Sequence, residues 1–229
     1  MKALTFGAAA LTLALVAQPA AAAVTISVRV TDGATTTVLT SNAAGGALNF
    51  TGTTANFSIS GNAVSAPVNA EPDFSTNSFN ILTNGSAGAK TLKIEITAQG
   101  LTQSVQSVMN TFTLNSLNGG SFTTGTVSNF FDLTNAAYGT GTLLGSSTFN
   151  GRGSFSEDVG ANFAPTTGTY SETAVYTLNF AGGAAGQVGA SAQLSAVPEP
   201  ATWAMMLVGF GAIGGTMRRR NVRARVQFA

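Results

Sequence analysis

The sequence contains neither cysteine nor histidine among its 229 residues. Without cysteine no disulfide can stabilise the fold, so the buried apolar side chains must do so. The same absences exclude Ser-His-Asp and Cys-His catalytic arrangements and zinc sites of nitrogen and sulfur ligands. A Ser-Lys pair remains formally possible, because Ser86 precedes Lys90 and Lys93. Those lysines adjoin an alternating apolar segment, and we expect them to be solvated surface charges.

Charged residues of either sign are also scarce, at 8% of the chain. Between residues 24 and 196, four basic residues stand against eight acidic ones, which gives this segment a net charge of −4. The basic residues are Arg29, Lys90, Lys93 and Arg152, and the acidic residues are Asp32, Glu71, Asp73, Glu95, Asp132, Glu157, Asp158 and Glu172. An acidic segment with scattered cations lacks the basic patch that binds nucleic acid, so no nucleic-acid partner is expected.

Catalysis by paired carboxylates, as in glycoside hydrolases, would have to use residues from the acidic set Asp132, Glu157, Asp158 and Glu172. The only tryptophan, Trp203, lies near the C-terminus and cannot serve as a sugar platform beside them. We therefore expect no enzymatic activity and no cofactor.

A calcium site is the more reasonable chemical possibility for the adjacent acids Glu157 and Asp158. The glycine-containing stretch 151–164 reads as a loop, and Asn150 and Asn162 flank the two acids. Calcium takes carboxylate, amide and carbonyl oxygens as ligands, so these residue types are suitable. No EF-hand loop pattern is present, and a solvated acidic turn is the competing interpretation.

The N-terminus has the composition of a secretory signal peptide. Lys2 supplies a positive charge, residues 3–16 form an uncharged apolar helix, and alanines 20–23 offer overlapping cleavage sites. We assign residues 1–23 to this segment, with cleavage after Ala22 or Ala23. The Sec translocon and signal peptidase are then the expected partners.

Residues 24–196 are predicted to form one all-β domain. Apolar and polar residues alternate over residues 24–31, 92–97 and 173–180, which is the period of half-buried strands. Turn signals such as Asp32-Gly33, Asn84-Gly85 and Asn150-Gly151 recur between short strand candidates. This spacing favours an antiparallel β-sandwich or jelly-roll-like fold. A β-helix is the alternative, although no fixed repeat supports it. Residues 63–76 read as a long loop, and residues 182–196 as a last strand followed by a tether.

The C-terminal segment combines two prolines, one apolar run and a cluster of arginines. Pro198-Glu199-Pro200 precedes the uncharged residues 201–217, and Arg218, Arg219, Arg220, Arg223 and Arg225 follow. A helix over the apolar run would span roughly 26 Å, close to the ~30 Å of a bilayer core. The arginines would place the C-terminus in the cytoplasm, with Trp203 at the opposite interface. The pattern predicts a single transmembrane helix.

The order of these residues resembles the PEP-CTERM sorting signal in its PEP-x-x-WA variant. The resemblance covers residues 197–220, and the segment is assigned as 197–229. The positions that carry it are Pro198, Glu199, Pro200, Trp203, Ala204, Gly209, Gly211, Arg218, Arg219 and Arg220. It implies export by a Gram-negative bacterium and processing by an exosortase, an integral membrane protease-transpeptidase common in species that make exopolysaccharide. The precursor would be anchored in the inner membrane and the product located at the cell surface or outside the cell.

These observations predict an exported cell-surface or extracellular-matrix protein with a structural or adhesive role linked to exopolysaccharide or biofilm. The alternative is a polysaccharide- or calcium-binding β-sandwich module, and a secreted hydrolase is the least favoured reading.

Overall fold

A computed structural model describes residues 23–69, 72–85, 88–116, 120–162, 168–197 and 200–220. The predicted signal peptide, apart from Ala23, lies outside the described residues. Pro198, Glu199, Ser86, Glu71, Arg223 and Arg225 also lie outside them. The helix includes Arg219 and Arg220, but their side chains are not among those described.

Strands occupy most of the described chain. They are β1 Thr25–Asp32, β2 Thr35–Ala44, β3 Ala47–Thr53, β4 Phe57–Val64, β5 Phe74–Thr83, β6 Lys90–Leu101, β7 Ser107–Asn115, β8 Phe122–Asp132, β9 Thr142–Asn150, β10 Ser154–Asn162, β11 Tyr170–Phe180 and β12 Gly186–Ala196. One helix, α1 Pro200–Arg220, follows them.

The strands form two six-stranded sheets that pack face to face. Sheet 1 has the order β2-β1-β6-β11-β8-β9, and sheet 2 has the order β10-β7-β12-β5-β4-β3. Every pair within the sheets is antiparallel. The fold is therefore the predicted antiparallel β-sandwich, and the β-helix alternative is wrong.

The antiparallel strands divide the connections between two ends of the sandwich. The proximal end carries the start of β1, the end of β12 and the connections over residues 45–46, 65–73, 102–106, 133–141 and 163–169. The distal end carries the connections over residues 33–34, 54–56, 84–89, 116–121, 151–153 and 181–185. The chain therefore enters and leaves the sandwich at the same, proximal end.

The core lies between the sheets, and the alternating segments supply much of it. Ile26, Val28 and Val30 of β1 are fully buried, as are their counterparts on β6 and β11, namely Leu92, Ile94, Ile96, Ala174, Tyr176 and Leu178. These sheet 1 side chains lie opposite the buried residues of sheet 2, among them Phe112, Leu114, Ile81, Val188 and Leu194. The predicted strand register of these three segments is confirmed, because a one-residue slip would exchange the buried and exposed faces.

A polar contact inside this core joins the two sheets. The Tyr176 hydroxyl of sheet 1 forms a hydrogen bond with the Thr76 hydroxyl of sheet 2. Thr76 also donates to the carbonyl oxygen of Ala192 at 3.2 Å, and the Ala192 amide donates back at 3.2 Å. Burial raises the pKa of the Tyr176 hydroxyl, so it stays neutral. A satisfied polar pair of this kind fixes how the sheets align.

Two sequence expectations change in the folded chain. The long loop predicted over residues 63–76 is shorter, because β4 continues to Val64 and β5 begins at Phe74. The expected tether after a last strand is absent from the described chain up to Val197, because β12 occupies residues 186–196 between β7 and β5. The many small residues of β12 are typical of a linker, which is why a tether was predicted. In the structure, Val188, Ala190, Ala192 and Leu194 are buried in the core.

Candidate functional site

The C-terminal segment begins at the end of a central strand. Ala196, the last residue of β12, is paired with Val108 of β7. Its amide donates to Asp73 Oδ1 at 3.3 Å, and the Val197 amide donates to the carbonyl oxygen of Ser107 at 3.0 Å. Backbone bonds therefore hold the chain in place through Val197, one residue before Pro198.

Helix α1 starts at Pro200, a residue suited to the first helical position because it lacks an amide hydrogen and has a fixed φ. Every described side chain from Trp203 to Arg218 is exposed, including Trp203, Met205, Leu207 and Phe210. Gly209 and Gly211 have open space around them, so no contact within the described chain requires their small size. The described apolar side chains of the helix are thus largely exposed.

The residues of the C-terminal segment match a known family of sorting signals. Residues 196–221 match the family described as the PEP-CTERM protein-sorting motif. The chain carries a PEP-CTERM sorting motif. Its presence implies export and exosortase-type processing of a membrane-anchored precursor. The match begins at Ala196, so the motif and strand β12 share a residue.

The structure places part of the predicted PEP-CTERM positions on one helix. Pro200 begins α1, Trp203 ends its first turn and Ala204 follows, Gly209 and Gly211 lie at its middle, and Arg218 lies in its last turn. Arg219 and Arg220 end the helix. The individual roles of these residues in recognition remain predictions.

The predicted transmembrane helix requires a correction. Within the described residues, no helix combines the length and the apolar character needed to cross a membrane. The helix forms where it was expected, but Gly209, Gly211, Gly214, Gly215 and Thr216 interrupt its apolar residues, and arginines end it.

Comparisons of the whole chain add little beyond the motif. No curated protein matches the sequence. A solved structure of TmCBM61 in complex with beta-1,4-galactotriose is similar at a TM-score of 0.32 and 12% identity, over 62% of this chain and 90% of that one. No functional argument follows from a similarity of this size.

The predicted calcium candidates do not form a common site. Residues 154–162 are strand β10, not a loop, and consecutive side chains of a strand point to opposite faces. Glu157 points inward at the sheet edge and accepts a hydrogen bond from the Ser147 hydroxyl. Asp158 points outward and accepts one from the Thr111 hydroxyl at 2.6 Å. No group of three or more metal-ligating residues occurs in the described part of the chain. Glu157 and Asp158 therefore do not point toward one shared ion position.

The other candidate carboxylates are also separated. Asp132 accepts hydrogen bonds from the Thr134 amide at 2.7 Å and hydroxyl at 2.6 Å, and so stabilises a turn. Its cross-strand partner is Ser171, whereas the next residue, Glu172, is paired with Phe131 and is buried. Asp132 and Glu172 therefore lie on opposite faces of sheet 1.

The outer face of sheet 1 carries a charged cluster that no sequence pattern indicated. Arg29 of β1 and Glu95 of β6 are cross-strand partners. Arg29 Nε donates to Glu95 Oε2 at 2.5 Å and Arg29 Nη2 to Glu95 Oε1 at 2.9 Å, while Lys93 Nζ lies 2.8 Å from Glu95 Oε1. The ring of Tyr138 lies 4.2 Å from Arg29 Cζ, within range for a cation–π contact.

A loop between β8 and β9, residues 133–141, covers this cluster. The Tyr138 amide donates to the Thr97 hydroxyl at 2.9 Å, and the Ser171 hydroxyl donates to the carbonyl oxygen of Ala136 at 2.8 Å. Asn135 accepts bonds from the Gln99 side chain at 2.8 Å and the Gly100 amide at 2.9 Å. Asn135 and Tyr138 both have positive φ, which turns the loop back over the sheet.

The loop changes the environment of Glu95, which is only 2% exposed although the alternating pattern placed it on a solvated face. Burial alone would raise the pKa of Glu95. The hydrogen bonds and charges of Arg29 and Lys93 outweigh that effect and hold its pKa below the ordinary value. The cluster is thus a paired, structural set of charges. A sequence signal could not reveal it, because residues 29, 95 and 138 meet only through strand pairing and a loop.

Proposed function

We propose that this is an exported protein, processed through its PEP-CTERM motif by an exosortase-type enzyme, with a structural or adhesive role at the cell surface or in the extracellular matrix. The observation that carries the proposal is the sorting motif at residues 196–221, attached directly to a complete β-sandwich. The motif addresses the protein to export, and the sandwich is the part that would act outside the cell.

The outer face of sheet 1 supports an association with exopolysaccharide. Neutral hydroxyl groups pair across neighbouring strands, with Thr126 and Thr148 at 3.0 Å and Ser128 and Ser146 at 2.7 Å. Such groups can donate and accept hydrogen bonds, as sugar hydroxyls do. Because these hydroxyl groups carry no charge, they would not repel a neutral or an acidic polysaccharide.

A non-enzymatic role is part of the same proposal. Each charged residue considered for chemistry in the described chain has a structural partner or a separate location, as for Glu95, Asp132, Glu157 and Asp158. Catalytic sites instead bring titratable groups together in a cleft with their reactive atoms available. We therefore expect no hydrolase activity on the producer's polysaccharide.

The test uses protein isolated from the native host. Intact-mass measurement is expected to show a product shortened at its C-terminal motif, and a host without exosortase should accumulate the longer precursor. A mass that retains the complete motif in the wild-type host would contradict the sorting proposal.

Association with exopolysaccharide is measured separately, by co-sedimentation of the processed protein with polymer from the same host. We expect the protein to sediment with the polymer and the double variant Thr126→Ala/Thr148→Ala to sediment less. The matched control Thr51→Ala/Thr53→Ala removes two hydroxyls from β3 in sheet 2. Equal sedimentation of protein with and without polymer would contradict this part of the proposal.

A further inference from the structure

The sorting motif has almost no free chain between itself and the sandwich. Val197 is held by its hydrogen bond to Ser107, and Pro198 is the next residue. An extended chain covers at most ~3.6 Å per residue, so residues 198–200 add no more than roughly 11 Å of chain after Val197. Any enzyme that grips these residues must approach the folded sandwich to within that distance.

The surface at this position belongs to the proximal end. Ser107 begins β7, Asp73 precedes β5, and Asn162 ends the edge strand β10. The Ser107 hydroxyl donates to Asn162 Oδ1 at 2.5 Å, and Asp73 accepts the bond from Ala196. Asn162 and Val197 are exposed. We call Asp73, Ser107, Asn162 and Val197 the proximal patch.

We propose that the proximal patch is a contact surface for the membrane-bound enzyme that processes the motif. This inference rests on the proposed function and adds a second recognition element to it. The processing enzyme would bind the motif and the proximal patch of the folded sandwich at the same time. The partner is assigned by geometry, because a protein active site is far wider than the single residue, Val197, that separates Pro198 from the end of β12.

The attachment of the motif to β12 also bears on whether processing occurs before or after the sandwich has folded. β12 is paired with both β5 and β7 as far as Leu194, and Ser195 and Ala196 continue to pair with β7 alone. A protease that required residues 194–197 in its own cleft would have to open sheet 2 first. The proposal instead has the enzyme bind the folded chain and act at or beyond Val197.

The test measures the processing rate of the full chain in the native host by pulse-chase, with three changes. Asn162→Arg places a long charged side chain on the proximal patch. Asn150→Arg is the matched control, an exposed asparagine at the distal end of edge strand β9. The third change inserts twelve Gly and Ser residues between Val197 and Pro198, a linker with a typical span of roughly 17–20 Å.

We expect Asn162→Arg to slow processing about tenfold, which corresponds to ~1.4 kcal/mol of lost binding. Asn150→Arg should be processed at the wild-type rate. The linker should bring Asn162→Arg and wild type to the same rate, because the enzyme then no longer meets the patch. Thermal melting of both variants checks that the sandwich remains folded.

Processing of Asn162→Arg at the wild-type rate, without the linker, would overturn the proposal. So would faster processing of Leu194→Ala, a variant that loosens a fully buried residue of β12, because the enzyme would then prefer the opened strand. Absence of processing in wild type would instead contradict the proposed function, so the two failures are distinguishable.

Discussion

Replacing Glu95 by glutamine tests the charged cluster on sheet 1. Glu95 is almost fully buried and forms ion pairs with Arg29 and Lys93, whose side chains are 33% and 40% exposed. Hydrogen bonds to charged groups contribute about 1.5–3 kcal/mol each, and exposed ion pairs only about 0.2–1 kcal/mol. Because the two cations can recover water, we expect Glu95→Gln to lower the free energy of unfolding by about 2 kcal/mol at pH 7.

The expected loss has a characteristic dependence on pH. The pKa of Glu95 is lowered in the folded protein, so its stabilising contribution is present above the unfolded pKa of about 4.3 and is lost as pH falls through the folded pKa. The difference between the urea unfolding curves of wild type and Glu95→Gln should therefore be full at pH 7 and should shrink progressively as the pH falls below about 4.3.

A shift of about 4–8 °C in melting temperature should accompany the change at pH 7, given the size of the sandwich. Asp158→Asn is the control, because Asp158 lies on the outer face of an edge strand with one hydroxyl partner. A loss below about 0.5 kcal/mol for Glu95→Gln, in the range of ordinary surface changes, would refute the reasoning. A difference from wild type that persisted undiminished at pH 3 would also refute it.

Three further outcomes are expected. Tyr176→Phe should cost about 1–2 kcal/mol in urea unfolding, because the buried hydroxyl links the sheets; no loss would show that the link is dispensable. Gly183→Ala should lower the free energy of unfolding by about 1–2 kcal/mol, because its φ is positive. Gly182→Ala should cost ~1–3 kcal/mol more than Gly183→Ala, because its Cβ would also overlap the carbonyl oxygen of Gly88. Equal melting temperatures of the two variants would contradict that packing. Millimolar calcium should leave the melting temperature unchanged, because Glu157 and Asp158 diverge, and a clear increase would restore the calcium reading.

The antiparallel fold was accessible from the sequence because its signals are local. Alternation in residues 24–31, 92–97 and 173–180 depends only on which side chains share one face of a strand, and burial of Ile26, Ile94 and Tyr176 follows directly. β12 was harder to recognise because its inward residues are mostly alanine and valine. Its place between β5 and β7, not its composition, makes it part of the core.

The candidate sites divide in the same way. The PEP-CTERM motif is a linear pattern, so residue order alone located it, and the family match at residues 196–221 agrees. Glu157 and Asp158 were assigned to a loop from their neighbours in the sequence, whereas the structure has them in a strand that turns them to opposite faces. The transmembrane prediction rested on the absence of charge from residues 201–217, and no helix in the described part of the chain has the length and apolar character to cross a membrane.

The sequence by itself determined the β-sandwich class, the register of its most regular strands and the position of the sorting motif, since each depends on neighbouring residues. Only the tertiary structure decided that Arg29, Glu95 and Tyr138 meet, and that the motif leaves a central strand without a linker. Those relations depend on strand order and loop path. Both arise from packing between residues that are far apart in the chain, which no local pattern encodes.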